Sequence, residues 1–327
     1  MYQESITATF DGEAGVQAGP VPAARPARSP AQGRFIDSRF PFRRQRRAEE
    51  RIRCLGVTLD FVKPPEVLLY LRRAVAAKKS VVIANHNAHS LHLVRKNPEL
   101  MRFFEAADLV QVDSMPVILW SLLLGRRSRR FHRSTYLDWR DDFWRLAQGE
   151  NWRVFYLGHA PGVADRAAER IRAEFPGVTL EVRDGFFDAT PGSAENTAVI
   201  DEIKAFGANV LLVGMGMPRQ ELWIHHNRSA LPPCAMLPVG AAFDYEAGVQ
   251  VKAPRWMGRF GVEWAFRLFK DPKRMASRYL IEPWSLVGPL ALDLLHRAGE
   301  ARSDAGRTQQ IDLTAAVARR GEWRERR

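Results

Sequence analysis

Short apolar runs rich in Val, Leu and Ile alternate along this sequence with amphipathic segments, and this alternation constrains the fold more than any other feature. The runs are SVVIAN, DLVQVD, WRVFYLG, VTLEVRDG, NVLLVGMG and CAMLPVG. Helical patterns such as VADRAAERIRAEF and AENTAVIDEIKAFG separate several of them. Buried strands that alternate with helices form a mostly parallel sheet covered on both faces. We therefore predict an α/β, Rossmann-like fold.

Three further segments near the start of this pattern carry expectations of their own. LGVTLDFV predicts a short strand or hairpin, and Pro64 and Pro65 open a predicted helix over EVLLYLRRAVAAKK. Proline suits the first helical turn, where its missing N–H would have no partner. A single second helix is predicted over LVRKNPELMRFFEAA.

Polar and glycine residues follow the predicted strands. In open parallel sheets the ligand lies beyond the carboxyl ends of the strands, so these residues form a predicted site. They are Asn85 and Asn87, Asp113, Gly158, Gly214 and Gly216, and Asp244.

Composition divides the chain into four predicted parts. Residues 1–50 form a Pro- and Arg-rich tail ending in the basic run RFPFRRQRR, which is either a solvated tail or a tether to anionic lipid. Residues 51–250 form the α/β core. Residues 251–300 mix Trp, Phe and Leu with Arg and Lys, which is typical of a basic, amphipathic, membrane-associating appendage. Residues 301–327 form a polar tail.

The formal net charge of +12 favours a polyanionic partner without choosing one. The sequence contains no recognisable nucleic-acid reading module, so we expect no nucleic-acid partner. No apolar run reaches the roughly 18 residues of a membrane-spanning helix, and MYQESITATFDGEAG does not resemble a secretory signal. We therefore expect a cytoplasmic protein, with Cys54 and Cys234 as buried free thiols.

Two motifs leave alternatives open. The loop GMGMPRQE, from Gly214 to Glu221, follows a strand and precedes a helix, so it is either a tight structural turn or a phosphate or ribose contact. Asp113 ends a strand just before a helical start. It is either a general base or a helix N-cap.

The sequence contains no convincing cluster of metal ligands. His86, His89 and His92 lie close together but without an acidic partner on that segment, so polar contacts near a ligand or a helix cap are favoured, and His225 and His226 are expected on an exposed helix end. There is no Asp-x-Asp element, and we expect neither a metal nor a cofactor.

Arg133 either pairs with a diphosphate or is simply exposed. Without a metal, arginines and helix termini would neutralise a diphosphate leaving group.

Several segments taken together resemble the WecG/TagA/CpsF family of bacterial glycosyltransferases, over about residues 54 to 280. They are ADLVQVDSMPVI, LGHAPGVADRAAERIRAEFPGVTLEVRDGFF, NVLLVGMGMPRQELWI, VGAAFDYEAGVQVKAPRWM and GVEWAFRLFKDPKRMASRYL. The resemblance implies transfer of a sugar from a UDP-sugar to an undecaprenyl-diphosphate-linked saccharide, with inversion and without a metal. It also implies a role in envelope, capsular or exopolysaccharide synthesis at the inner face of the cytoplasmic membrane, and a homo-oligomer stays open.

The resemblance also assigns roles to residues. It implies that Asp113 is the general base. The family's Thr-x-Asn falls on Asn85 and Asn87, its downstream arginine on Arg133, and the glutamine of its Pro-Lys-Gln-Glu on Gln220. Its basic C-terminal appendage falls on Arg267, Arg274 and Arg278.

Three residues depart from the family pattern. Asn85 stands where threonine is typical, Ser114 replaces a glycine, and Tyr136 sits where glycine is common. These departures leave the donor sugar open. They also keep an alternative in view, a catalytically inactive, membrane-bound scaffold of a polysaccharide assembly complex.

Overall fold

Six parallel strands form the central sheet of the computed structural model, which describes residues 51–124, 128–249, 257 and 263–300. A separate antiparallel hairpin precedes them. The strands are β1 (Arg51–Cys54), β2 (Val57–Asp60), β3 (Val81–His86), β4 (Leu109–Val112), β5 (Arg153–Gly158), β6 (Thr179–Arg183), β7 (Val210–Gly214) and β8 (Ala235–Pro238). The order across the sheet is β4-β3-β8-β7-β5-β6, so the α/β, Rossmann-like prediction is confirmed. The segment LGVTLDFV forms the turn and the second strand of the hairpin, whose first strand, β1, precedes that segment.

Nine helices of the described core pack around this sheet, and an appendage of shorter helical turns follows them. The core helices are α1 (Pro64–Ala76), α2 (Ala88–Leu93), α3 (Pro98–Glu105), α4 (Met115–Leu123), α5 (Tyr136–Gly149), α6 (Val163–Glu174), α7 (Ala194–Phe206), α8 (Arg219–Asn227) and α9 (Ala242–Ala247). The appendage contains α10 (Glu263–Lys270), α11 (Pro272–Ala276), a π-turn (Ser277–Ile281), a 3-10 turn (Glu282–Leu286) and α12 (Val287–Glu300).

Both faces of the sheet are buried, which explains the nearly continuous apolar strands. In β5, Phe155 and Leu157 pack into one hydrophobic cluster, while Val154 and Tyr156 pack into the cluster on the opposite face. Because side chains alternate between the faces of a strand, a strand covered on both sides is apolar at nearly every position.

The single helix predicted over LVRKNPELMRFFEAA is wrong, because the chain forms two helices there. The first helix, α2, ends at Leu93. Asn97 caps α3, since its Oδ1 accepts the N–H groups of Glu99 and Leu100, both at 3.0 Å. Pro98 then occupies the first turn of α3, where its missing N–H has no cost. Proline inside one continuous helix would have removed a backbone hydrogen bond.

The appendage packs against the core near the carboxyl ends of the strands. Among the appendage residues whose burial is described, Met275 and Leu286 are the buried apolar ones, at 6% and 1% exposure. The basic run RFPFRRQRR and the side chains of Arg267 and Arg274 lie outside the described residues. Within the part of the chain that the structure describes, no helix combines the length and the apolar character needed to cross a membrane.

Candidate active site

A cavity of about 420 Å³ opens beyond the carboxyl ends of β3, β4 and β8. Core segments form most of its wall, and the appendage contributes the rest. Its polar lining includes Asn85, Asn87, His89, Gln111, Asp113, Ser134, Gln220, Arg278 and Glu282. A volume of this size lies within the range of ligand pockets, and its place in the sheet is where parallel α/β folds bind ligands.

Asp113 lies at the end of β4 and faces this cavity. Its backbone N–H donates to the His86 carbonyl at 2.9 Å, which continues the ladder between β3 and β4 by one residue. The N-cap of α4 is Ser114, whose backbone is extended at φ −160° and ψ 131°. Asp113 therefore lies one residue before the N-cap of α4.

Asn85 and Asn87 line the cavity and also hold its wall in place. Asn85 Nδ2 donates to the carbonyl of Pro238 at 2.9 Å, which joins the end of β3 to the end of β8. Asn87 caps α2, because its Oδ1 accepts the Ser90 N–H at 2.9 Å. Both amides thus have one structural hydrogen bond, and their predicted contact with a ligand would use the remaining polar atoms.

Gln220 has a fixed amide orientation. Its Oε1 accepts the Gly240 N–H at 3.2 Å, and its Nε2 donates to Glu221 Oε1 at 2.7 Å. Glu221 is fully buried, and this burial raises the pKa of its carboxyl to about 7. Its second oxygen, Oε2, has no hydrogen-bond partner among the described residues. These two hydrogen bonds therefore fix the orientation of the Gln220 amide, which lines the cavity.

The predicted arginines take different positions. Arg278, in the π-turn of the appendage, lines the cavity. Arg133 lies beside the end of β4, since it bridges to Val112 and the next residue, Ser134, donates its N–H to the Val112 carbonyl at 2.8 Å. Arg133 lines a second cavity of about 280 Å³, which also contains Asp113.

Two of the predicted glycines serve the packing of the sheet. Gly158 and Gly214 are partners in neighbouring strands, and a Cβ on Gly158 would lie 2.4 Å from the Gly214 backbone. Neither lines the two cavities described here. Gly216, at φ +80°, does line the larger one. Ligand contacts by these glycines stay predictions.

The histidines of β3 and α2 have hydrogen-bond partners that their local sequence does not indicate. His89 Nδ1 lies 2.5 Å from Glu282 Oε2, and His92 Nδ1 lies 2.7 Å from Ser285 Oγ. His86 is fully buried, and burial lowers its pKa to about 3. Its Nδ1 lies 2.8 Å from Ser90 Oγ. The described residues contain no group of three or more His, Cys, Asp or Glu side chains arranged to hold a metal ion.

The secondary sequence candidates have structural explanations. Asp244 lies inside α9 rather than at the end of a strand, and its Oδ1 is 3.1 Å from His159 Nδ1. The strand-end position predicted for Asp244 is therefore wrong, because the chain turns at Gly240 and starts a helix. His226 pairs with Glu99 at 2.9 Å near the end of α8. Cys54 and Cys234 are buried free thiols, as predicted.

Tyr136, one of the departures from the family pattern, is buried at the start of α5. Its hydroxyl donates to Glu246 Oε1 at 2.8 Å and accepts the indole N–H of Trp144 at 2.9 Å. Burial, followed by the nearby Glu246 carboxylate, holds the pKa of Tyr136 well above its usual value. The tyrosine thus connects the cavity wall to an ion pair between Glu246 and Arg140.

Comparison with known proteins gives one family and several relatives for this chain. The model of the Glycosyl transferase WecG/TagA/CpsF family matches residues 52–299. An N-acetylglucosaminyldiphosphoundecaprenol N-acetyl-beta-D-mannosaminyltransferase of Staphylococcus aureus (strain MW2) is 26% identical over 202 residues, 59% of this chain and 77% of the relative. A protein of the same description from Bacillus spizizenii is 29% identical over 182 residues, 55% of this chain and 67% of the relative.

The family model covers the sheet, the larger cavity and the appendage that borders it. The chain therefore belongs to the WecG/TagA/CpsF family and is a glycosyltransferase.

Proposed function

We propose that this glycosyltransferase moves a sugar from a UDP-sugar to a hydroxyl of a saccharide linked to undecaprenyl diphosphate, with inversion and without a bound metal. The observation that supports this most is the position of Asp113 at the carboxyl edge of the sheet, where it lines both cavities. The names of the relatives describe an undecaprenyl-diphosphate-linked acceptor and an N-acetylhexosamine as the sugar transferred.

In this reaction Asp113 accepts the proton of the acceptor hydroxyl. The hydroxyl oxygen then attacks the anomeric carbon from the face opposite the UDP. One C–O bond forms while the bond between that carbon and the UDP oxygen breaks, and the configuration of the anomeric carbon is inverted. The UDP leaves with the bonding electron pair. General-base assistance of this kind contributes about 10²- to 10⁴-fold to a rate.

The larger cavity suits the nucleotide sugar. Its lining contains oriented amides from Asn85 and Gln220 and the guanidinium of Arg278. A guanidinium offsets the charge that develops on a departing diphosphate. The sequence lacks an Asp-x-Asp element, and the described residues lack a metal-ligand cluster, so the proposed stabilisation comes from arginines and backbone N–H groups.

The enzyme would act at the inner face of the cytoplasmic membrane. Large apolar side chains of the appendage are exposed, including Phe269 at 87% and Trp284 at 75%. Basic residues accompany them, and each contributes on the order of 1 kcal/mol near an anionic surface. This arrangement supports peripheral attachment beside a lipid-linked acceptor.

A direct assay tests the proposal. The full chain is incubated with N-acetylglucosaminyl-diphosphoundecaprenol in vesicles and with UDP-N-acetylmannosamine, UDP-N-acetylglucosamine, UDP-glucose or UDP-glucuronate. Release of UDP, the mass of the lipid product and the anomeric configuration of the new bond are measured. We expect one donor to react with inversion. A chain that binds vesicles and UDP yet transfers none of these sugars would favour the inactive scaffold.

A further inference from the structure

The second cavity, of about 280 Å³, opens between the start of α4 and the appendage. It shares four lining residues with the larger cavity, Asn87, His89, Asp113 and Arg278, and all four are polar. The residues found only in the second cavity include Trp120, Trp264, Leu280 and Pro283. The two cavities therefore meet at Asp113, and the second one continues from a polar junction along a largely apolar wall.

We propose that this second cavity is the acceptor subsite, with the diphosphate near Arg133 and Arg278 and the first isoprene units along Trp120, Trp264 and Leu280. The inference rests on the proposed function and assigns its acceptor side. A prenyl-diphosphate saccharide carries a hydroxyl, two phosphates and an apolar chain in that order. The lining of the cavity offers all three matching kinds of group, which are the carboxylate of Asp113, the arginines, and aromatic and aliphatic side chains.

Charge complementarity supports this occupant over a purely apolar one. Arg133 lines the second cavity and is absent from the lining of the larger cavity, whereas Arg278 borders both. Guanidinium groups match phosphate geometry through paired hydrogen bonds. Arg133 is therefore assigned to the acceptor diphosphate and Arg278 to the junction between the two diphosphates.

The apolar wall is continuous with exposed apolar surface. Leu280 and Trp264 are 54% and 42% exposed although they line the cavity. Leu119 and Leu123 belong to α4, whose Met115, Pro116 and Trp120 line the cavity, and they are exposed at 55% and 57%. Exposed apolar patches of this kind mark interaction surfaces for proteins or membranes. A prenyl chain leaving the cavity would thus pass directly to a surface suited to the lipid in which it is anchored.

Two water-soluble acceptors with the same sugar diphosphate test the inference without a membrane. One carries a geranyl group and the other a methyl group, and the donor is the UDP-sugar that reacts in the vesicle assay. We expect the wild-type kcat/KM to be at least about tenfold higher for the geranyl acceptor. Leu280→Ala should reduce this preference to about twofold or less, with the KM of the UDP-sugar unchanged.

Ile281→Ala is the matched control, because Ile281 is the adjacent residue, is 67% exposed and is absent from the lining of both cavities. It should keep the wild-type preference. Arg133→Gln should raise the KM for both acceptors while leaving UDP affinity within about twofold. This second variant tests the diphosphate end independently of the apolar wall.

The results separate the two hypotheses. A wild-type enzyme that transfers to both acceptors with equal kcat/KM, or a Leu280→Ala variant that retains the geranyl preference, overturns the acceptor subsite alone. The same holds if Ile281→Ala loses the preference to the same extent, or if Arg133→Gln weakens UDP binding and not the acceptor. A wild-type enzyme that uses neither these acceptors nor the lipid-linked one overturns the proposed function itself.

Discussion

His89 of α2 and Glu282 of the appendage lie 2.5 Å apart, Nδ1 to Oε2, although 193 positions separate them in the chain. Both side chains are mostly buried, and both line the larger cavity. His92 and Ser285 form a second contact one turn further along each segment. The appendage is therefore joined to the core at the edge of the candidate active site itself.

Glu282→Ala should loosen this junction. Arg278 precedes Glu282 by four residues in the appendage, so we expect faster amide hydrogen exchange over residues 277–286 and a turnover reduced by about tenfold, or about 1.4 kcal/mol in barrier. Glu99→Ala is the matched control, because Glu99 pairs with His226 at 2.9 Å away from both cavities. Unchanged exchange in Glu282→Ala would show that the contact does not hold the appendage.

Asp113→Asn should remove the proposed base while keeping the shape of the side chain. We expect turnover to fall by about 10²- to 10⁴-fold, with the melting temperature and UDP affinity unchanged. Asp138→Asn provides a control, because Asp138 Oδ2 accepts the Thr135 N–H and hydroxyl at the start of α5, and the side-chain oxygen of asparagine is an acceptor as well.

Asp113 and Glu282 are the carboxylates among the described residues that line the larger cavity. This makes the comparison of their variants informative. If Asp113→Asn transferred sugar near the wild-type rate while Glu282→Ala abolished turnover, the base would have to be reassigned to Glu282.

Much of this site could be predicted from the sequence, since buried strands with polar ends have a clear pattern. Asn85 stands near the end of β3, and Asn87 and Asp113 directly follow β3 and β4. Gln220, in α8, was assigned through the family resemblance instead, and the structure brings all four into one cavity. The partner of His89 could not be predicted. Glu282 is nearly two hundred positions away on a segment without strand periodicity, so nothing local in the sequence links the two residues.

The helices α4 and α5 show two different reasons for a missed element. The sequence MPVILWSLL of α4 is apolar nearly throughout, and such a run does not distinguish a helix from a buried strand by its period. The start of α5 did carry a signal. Thr135 and Asp138 stand three positions apart and form a capping box, which is a recognised mark of a helix N-terminus.

Stability should depend on pH through Glu221. Burial raises the pKa of this carboxyl from 4.5 to about 7, so the folded state holds a proton that the unfolded state releases. The resulting stabilisation is complete below about pH 4.5 and is lost as the pH rises through 7. Relative to Glu221→Gln, we expect the wild-type free energy of unfolding to fall by about 2 to 3 kcal/mol between pH 5 and pH 8.

Denaturant unfolding at several pH values measures this difference. The glutamine variant keeps the size of the side chain and an acceptor for Gln220 Nε2, so it isolates the titration from the packing. Parallel stability curves for the two proteins across this range would mean that Glu221 keeps an ordinary pKa.

Transfer should not require a divalent metal. We expect turnover in excess EDTA to stay within about twofold of the untreated rate, because arginines and backbone N–H groups take the place of a metal in stabilising the leaving diphosphate. Strong inhibition by EDTA, reversed by magnesium or manganese, would contradict this account of the leaving group.

Membrane attachment should depend on exposed aromatic residues of the appendage. Replacing Phe269 and Trp284 together by serine should reduce sedimentation with anionic vesicles by about tenfold or more, since each loses a large apolar surface from the interface. Phe186→Ser is the control, because Phe186 is 71% exposed on the core instead. If the double variant still sediments fully, the basic run RFPFRRQRR becomes the next candidate tether.

The strand order has a consequence for how the protein is made. β3 lies between β4 and β8. The Asn85 amide of β3 donates to the carbonyl of Pro238, which is synthesised 153 residues later. At a ribosomal rate of about 5–20 residues per second, that interval is roughly 8 to 30 s. Throughout it, one side of β3 exposes unpaired backbone groups, which are a template for aggregation. We therefore expect the translation speed between the codons for β4 and β8 to influence how much of the nascent enzyme reaches its folded form.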